Sequence, residues 1–392
     1  MTTSADPGLR LLPDASLTGE QSAFAPQIPF AEFFAGIGLM RAGLEPLGFQ
    51  HMWANDIEPM KRSHYVANHS PEGFWLGDVR EVHADELTQD FELATSSFPC
   101  IDLSLAGNRN GLAGEHSGMF WEFARVMTEL KDQGRMPRAI LIENVTGFAS
   151  SHNGKDLQSA LIKLGELGYS CDILTIDASH FVPQSRPRMF IVGISGELPD
   201  SCLTGIPALS DVRPNWVLNS YRKNLSTARL HYQPLPSLPI RAAGLSSIVE
   251  KIEDSDGRWW DGERLAAFVN SLSSIQSARL EELRVHPEKT WRTAYRRTRN
   301  GKATWEIRRD DIAGCLRTTG GGSSKQALVV AGNDKVQARW MTAREYAALM
   351  GAKNYELDGV TPNQAQFGFG DAVVVDVVKW IGEHYLRPVL RP

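Results

Sequence analysis

Four short stretches carry residue types and spacings that could do chemistry. Ser97-Phe98-Pro99-Cys100 follows FELATSSF, an apolar run that reads as a strand, and leads into the glycine-rich stretch IDLSLAGNRNGLAGEHSG. A thiolate at such a strand end is a nucleophile when positive groups lower its pKa. The other common use of a free cysteine is as a small buried hydrophobe. Glu143, in Glu143-Asn144-Val145, ends the run AILI. A carboxylate there is expensive to bury without a partner, so it reads as an acid of raised pKa or as a helix cap. In Gln184-Ser185-Arg186-Pro187-Arg188, before the strand MFIVG, alternate residues of an extended chain face one way. Two guanidinium groups on one face suit a phosphate or a polar base edge, and a solvated strand is the plainer alternative. Fourth, Phe34-Ala35-Gly36-Ile37-Gly38 places glycines where a strand turns into a helix, and Asp56 ends the next strand twenty residues after Gly36. The glycines let backbone approach a ligand, and the acid can accept from ribose hydroxyls. Arg41 stands where a dinucleotide fingerprint needs its third glycine, so the loop fits a nicotinamide cofactor, S-adenosylmethionine or a structural turn. Gly320-Gly321-Gly322 lacks the spacing of a phosphate-binding Walker loop.

These groups need a scaffold. From about residue 30 to 195, IPFAEFFA, FQHMWAND, FELATSSF, AILIENV, CDILTID and MFIVGI read as buried strands. Between them, MRAGLEPL, SGMFWEFARVMTEL and DLQSALIKLGEL have helical spacing. Gly77-Asp78-Val79 ends a further strand. The alternation implies an α/β fold, a mostly parallel doubly wound Rossmann-like sheet whose ligands bind at the carboxyl ends of its strands. The division expected is a loose tail at 1–29, a catalytic and cofactor domain at 30–198, and a second, smaller domain at 199–335, richer in Pro, Trp, Arg and Ser. A final segment, 336–392, contains the helical stretches MTAREYAALMGA and AVVVDVVKWIGEHYL.

A chain of 392 residues with 42% hydrophobic and 22% charged content is an ordinary globular composition. Apolar runs are too short to span a bilayer, and a basic start with an apolar signal stretch is absent, so a cytoplasmic location is expected. Cys100, Cys171, Cys202 and Cys315 form no CxxC pair, and no metal site is expected. A net charge of −5 excludes a protein that is basic throughout, but residues 284–309 hold nine Lys or Arg against two Glu, a local +7. Trp291, Tyr295 and Trp305 are interleaved there, a mixture suited to nucleic acid, although a solvated basic surface would look similar.

In order, FAGIG at 34–38, FPCIDLS at 98–104, ENV at 143–145, QSRPR at 184–188, RWMTAREYAALMG at 339–351 and FGDAVV at 369–374 resemble the cytosine-C5 DNA methyltransferase family of restriction–modification systems. The resemblance runs from about residue 30 to 392 apart from the variable middle. It implies the S-adenosylmethionine-dependent methyltransferase fold, with 199–335 as target-recognition domain. It implies that the Cys100 thiolate adds to cytosine C6, that Glu143 donates a proton to N3, and that Arg186 and Arg188 orient the base and a nearby phosphate. S-adenosylmethionine is the implied cofactor, held by Phe34, Gly36, Gly38, Asp56, Ile57, Asp78, Val79 and Pro99, with Asp371, Ala372 and Val373 closing the pocket. Duplex DNA is the implied partner, contacted by Ser104, Arg109, Gln184, Arg292, Arg296, Arg297, Arg299 and Lys302, with the target base flipped out under a lid at 101–118. A companion endonuclease and a monomeric state are further expectations. The chain departs from the family's usual pattern at Leu39, Ser96, Ser97, Ile101 and Asp371, where Gly, Gly, Gly, Gln and Asn are usual. Methylation of tRNA by the RNA-acting branch and a catalytically silent DNA-binding relative are the competing readings. The long variable insertion favours DNA, and the intact Cys100, Glu143, Arg186 and Arg188 favour an enzyme.

Overall fold

The computed structural model describes residues 27–99, 111–113, 118–299, 301–318 and 325–391. Its first half is a run of alternating elements: β1 (Ile28–Phe33), α1 (Leu39–Leu44), β2 (Phe49–Asp56), α2 (Pro59–Asn68), β3 (Phe74–Leu76), β4 (Leu93–Ser96), α3 (Met119–Asp132), β5 (Ala139–Val145), α4 (Lys155–Leu167), β6 (Tyr169–Asp177) and β7 (Pro187–Ser195). They form one sheet in the order β3-β2-β1-β4-β5-β7-β6. β7 runs antiparallel to β5 and β6, and the remaining pairings are parallel. The strand order reverses between β1 and β4, which opens a crevice at their carboxyl ends.

The strands are apolar on both sides because both sides are covered. Along β5, Ala139 and Leu141 face one core while Ile140 and Ile142 face the other. α3 and α4 cover the second face through Phe123, Met127, Leu161 and Leu164. The first face is covered by α1 and by the C-terminal segment, through Leu39, Met40, Val377 and Val378 among others.

The region after β7 contains α5 (Asn215–Asn224), α6 (Gly262–Asn270), α7 (Ser274–Arg284) and four strands, β8 (Thr290–Arg299), β9 (Lys302–Ile307), β10 (Gln326–Gly332) and β11 (Lys335–Trp340). The strands make a second, antiparallel sheet in the order β11-β10-β8-β9, a structure only weakly signalled by the sequence. The chain then returns as α8 (Ala343–Leu349), α9 (Pro362–Asp371) and α10 (Val375–Ile381). Val377, Val378 and Ile381 of α10 join Leu39, Met40 and Leu44 of α1 in one core.

Two expected boundaries move. Residues just after 198 do not leave the large sheet: Val217, Tyr221 and Leu230 sit in the same core as β5 and β6. β11 begins at Lys335, so 336–340 belong to the small sheet rather than to the returning segment. The first shift has a physical cause in Asp172 of β6, which is fully buried and needs partners. Arg213 Nη2 lies 2.7 Å from its Oδ2, Tyr221 donates to Oδ1 at 2.5 Å, and Tyr385 and the Gln233 N–H donate to Oδ2 at 3.0 and 2.9 Å. One carboxylate therefore ties β6 to α5, to the 230s and to the C-terminal segment.

Asp172→Ala strands the Arg213 charge in the core and should lower unfolding stability by about 3–5 kcal/mol. Tyr221→Phe removes one donor to a charged acceptor and should cost about 1.5–3 kcal/mol. Urea titration of both variants measures the difference.

Candidate active site

The crevice predicted by the strand order is a cavity of about 520 Å³. Its wall contains Phe34, Gly36, Asp56, Ile57, Asp78 and Val79 from the β1–β3 side, and Pro99, Glu143, Arg186 and Arg188 from the β4–β7 side. Asp371, Ala372 and Val373 close it from the C-terminal segment. Residues far apart in sequence thus meet at one place. Gly38 is the exception among the expected pocket residues. It stands behind the wall, its carbonyl facing His69 Nε2 at 3.0 Å, and a Cβ on it would strike the His69 and Tyr65 rings.

The glycine loop is built for close approach. Gly36 has φ +59° and nothing within 4 Å of a hypothetical Cβ, so a side chain there would project into the open cavity. Phe34 also has φ +59°, a strain of roughly 1–2 kcal/mol for a residue with a Cβ. Asp56 fixes the turn by accepting from Gly36 N at 2.8 Å and Glu58 N at 2.9 Å, one bond to each carboxylate oxygen. Each oxygen has a further lone pair for a ligand hydroxyl. Asp78 is bonded to Arg80 through its side chain and backbone N–H.

Glu143 ends β5 and is 6% exposed. The antiparallel pairing of β5 with β7 brings Arg188 alongside, with Nε 2.9 Å from Glu143 Oε1. Burial pushes the Glu143 carboxyl up, Arg188 and Arg186 pull it down, and the net displacement is upward. Asn144, next along, turns the other way. Its Nδ2 donates to the Phe98 carbonyl at 3.1 Å and fixes the chain two residues before position 100. Phe98 meets Phe148 edge-on and Phe120 at a tilt.

Gln184, Arg186 and Arg188 do share a face, but that face is covered. Gln184 is fully buried, accepts from Leu316 N at 2.9 Å and donates to Leu349 O at 2.7 Å. Gln184, from which a DNA contact was expected, thus braces the interior through both ends of its amide. Arg186, expected to reach a base or phosphate, is 2% exposed. Its Nη1 donates to Leu316 O and its Nη2 to Gly370 O and Ala372 O. Those bonds hold the C-terminal wall of the cavity in place. Arg188 is the arginine turned to the carboxylate.

Of the remaining expected site residues, Cys100, Ser104 and Arg109 lie outside the described residues, as do the side chains of Arg299 and Lys302. Register separates the arginines of β8. Arg296 is paired with Trp305 and shares the face packed by α6 and α7, whereas Arg297 shares the opposite face with Tyr295 and Glu306. Arg296 and Arg297 are exposed, and the Arg297 guanidinium lies 5.1 Å from the Tyr295 ring. Arg292 is half-buried and donates to Trp291 O, so it is less available than the other two.

Several residues of the cavity wall were missed, and three groups in or beside it carry chemistry of their own. Glu32, in β1, is 2% exposed, lines the cavity and has an Oε2 with no hydrogen-bond partner among the described residues. Burial pushes its carboxyl up to about 8, against the pull of Arg41. A lone carboxylate inside the apolar run IPFAEFFA was a usable signal. Lys61, in α2, lies on the wall 3.0 Å from Asp371. Cys315 Sγ stands 3.3 Å from Arg186 Nη1 and 3.8 Å from Arg188 Nη2. Burial raises that thiol, but Arg186, Arg188 and Arg317 outweigh it and the net shift is downward.

Similar chains include the type II methyltransferase M.BanI of Aneurinibacillus aneurinilyticus, 32% identical over 192 residues, or 47% of this chain and 42% of that one. The type II methyltransferase M.HhaI of Haemophilus parahaemolyticus is 28% identical over 188 residues, covering 47% and 52%. The chain thus spans about half the length of the curated relatives it matches. Among solved structures, the S. pombe Dnmt2 methyltransferase superposes with a TM-score of 0.59 at 18% identity, over 93% of this chain and 100% of that one. The Entamoeba histolytica methyltransferase EhMeth gives 0.55 at 14%, over 94% and 100%. At such identities the likeness is one of fold. The sequence model of the C-5 cytosine-specific DNA methylases matches residues 28–387. The chain belongs to the C-5 cytosine-specific DNA methylase family.

Proposed function

We propose that this protein methylates carbon 5 of cytosine in duplex DNA at a specific sequence, with S-adenosylmethionine as donor and Cys100 as covalent nucleophile, in a restriction–modification setting. The observation that carries the reading is the Glu143–Arg188 pair, 2.9 Å apart, in the wall of the same cavity as Gly36, Asp56 and Pro99. That cavity brings an acid of raised pKa together with a cofactor-sized recess, and Cys100 is one peptide bond beyond its wall.

The recess fits the donor. Its volume lies in the usual range for small-molecule sites, the Gly36 position is left clear, and Asp56 retains acceptor capacity for ribose hydroxyls. Ile57 and Val79 supply apolar surface for a purine, and Glu32 offers a carboxylate to a positive group. When bound, the donor supplies a methyl group on a sulfonium, an electrophile that cytosine C5 cannot attack unaided.

The chain's own residues supply that activation. The Cys100 thiolate adds to C6 of a flipped cytosine while the protonated Glu143 carboxyl donates to N3, so the ring becomes an enamine nucleophilic at C5. Arg188 steadies Glu143. Asn144, Phe120 and Phe148 hold Phe98, two residues before Cys100 in the chain. A water then takes the C5 proton, the thiolate leaves, and N3 returns its proton to the Glu143 carboxylate. Arg296 and Arg297 offer positive charge to the DNA backbone. A cytoplasmic location and a companion endonuclease belong to the same reading; among the described residues no helix is long and apolar enough to cross a membrane.

Duplex DNA bearing 5-fluorocytosine at the target, supplied with the donor, should trap a covalent complex with the wild-type protein. Cys100→Ser should bind that duplex without forming the adduct, as read by denaturing electrophoresis and peptide mass spectrometry. Turnover of labelled methyl groups on ordinary duplex by Cys100→Ser would overturn the mechanism, and transfer to tRNA in preference to duplex would overturn the substrate.

Glu143 must be protonated to donate, and its pKa is raised. The rate at saturation should therefore fall as pH rises through that pKa. Glu143→Gln cannot transfer a proton; it should lower kcat by about 10²- to 10⁴-fold and abolish that limb of the pH profile.

Arg296→Ala with Arg297→Ala should weaken DNA binding and flatten the slope of log affinity against log salt by about 2, one phosphate contact for each arginine.

A further inference from the structure

The described part of the cavity wall contains six carboxylates: Glu32, Asp56, Glu58, Asp78, Glu143 and Asp371. Such a wall suits a ligand with positive centres. A ligand that ends in an amino acid also brings one carboxylate, and that group needs a cation. Four cations reach the wall: Lys61, Arg80, Arg186 and Arg188. Arg80 makes a close pair with Asp78, and Arg188 pairs with Glu143. Arg186 has both Nη groups on backbone carbonyls.

Lys61 differs in kind. Its side chain is 13% exposed, its Nζ lies 3.0 Å from Asp371 Oδ2, and it stands 5.2 Å from the Phe367 ring. Asp56 and Glu58 also act on its charge. Burial works against the ammonium, but Asp371 and Asp56 outweigh it and keep the group charged. An ammonium has three donors that rotate freely, and Asp371 takes one of them. The position matters as much as the charge. On the cofactor reading Asp56 takes the ribose, and Lys61 lies close enough to Asp56 to feel its charge and against Asp371 of the closing wall, beside the ribose end of the same cavity.

We propose that Lys61 receives the carboxylate of the cofactor's amino-acid end, held in place for it by Asp371 across the joint between α2 and the C-terminal segment. The assignment rests on the cofactor reading above. It gives Asp371 a purpose in this chain: as a carboxylate, it can anchor a lysine ammonium through an ion pair.

The test compares two ligands that differ only in the carboxylate, S-adenosylhomocysteine and its decarboxylated counterpart, by isothermal titration without DNA. Lys61→Met keeps much of the stem and removes the charge. It should weaken S-adenosylhomocysteine about tenfold and leave the decarboxylated ligand unchanged. Lys61→Arg should restore most of the preference. Thermal melting of each variant checks that the fold is intact. Equal weakening of both ligands would make Lys61 a prop for Asp371 alone and overturn the proposal, as would no weakening of either. A wild-type protein that binds neither ligand would overturn the cofactor reading itself, and the Lys61 assignment with it.

Discussion

The site depends on one ion pair made by strand register. β7 runs against its neighbours, and its antiparallel ladder with β5 sets Val145 opposite Arg188 and Glu143 opposite Phe190. The long Arg188 side chain reaches back along that ladder to Glu143. A parallel β7 would carry its residues in the opposite order and send that side chain to the other end of the sheet. A buried carboxylate without the guanidinium would be forced to neutralise or to draw in water. With it, Glu143 is held between two tendencies, burial favouring the proton and Arg188 and Arg186 opposing it. An acid poised in this way can give a proton to a base that enters the cavity and take it back.

The sequence patterns of the large sheet were legible because its strands are buried on both faces and bounded by glycines and helices. The same logic read α3 and α4 correctly. It failed in the small sheet for a physical reason. β8 is TWRTAYRRTR, a strand paired with the adjacent β9 on one side and the distant β10 on the other, and its alternation is obscured by arginines on both faces. The Asp172 network was equally hidden, because its donors come from residues 213, 221, 233 and 385 and no local pattern announces them.

At the site, residue types were easier to read than residue roles. Glu143 and Arg188 were both named, but nothing in the sequence pairs one with the other; the strand register does. Gln184 and Arg186 were found too, but extended-strand logic says only that they share a face and cannot say what covers it. The cover comes from residues 313–316 and 370–372, well over a hundred positions downstream. Once covered, a polar side chain must satisfy the backbone groups that cover it, and both residues do so. A motif position can therefore be essential to the cavity without touching what enters it.

The same division of labour applies to the segment expected to act as a lid. Phe98 is fixed on one side by Asn144, and Leu112 on the other is 4% exposed, its carbonyl taking the Trp121 Nε1–H at 3.2 Å. Gly111, beside it, has φ +62°, and a Cβ there would meet Asp156 Oδ2 at 2.1 Å and the His152 ring at 2.5 Å. His152 and Asp156 are themselves bonded at 2.9 Å. The chain is therefore anchored at Phe98, just after β4, and again at Gly111 and Leu112, which pack against α4 and α3. Anchors of this kind are built on the same sheet and helices that hold Glu143, so the two ends of the segment and the acid share one rigid frame.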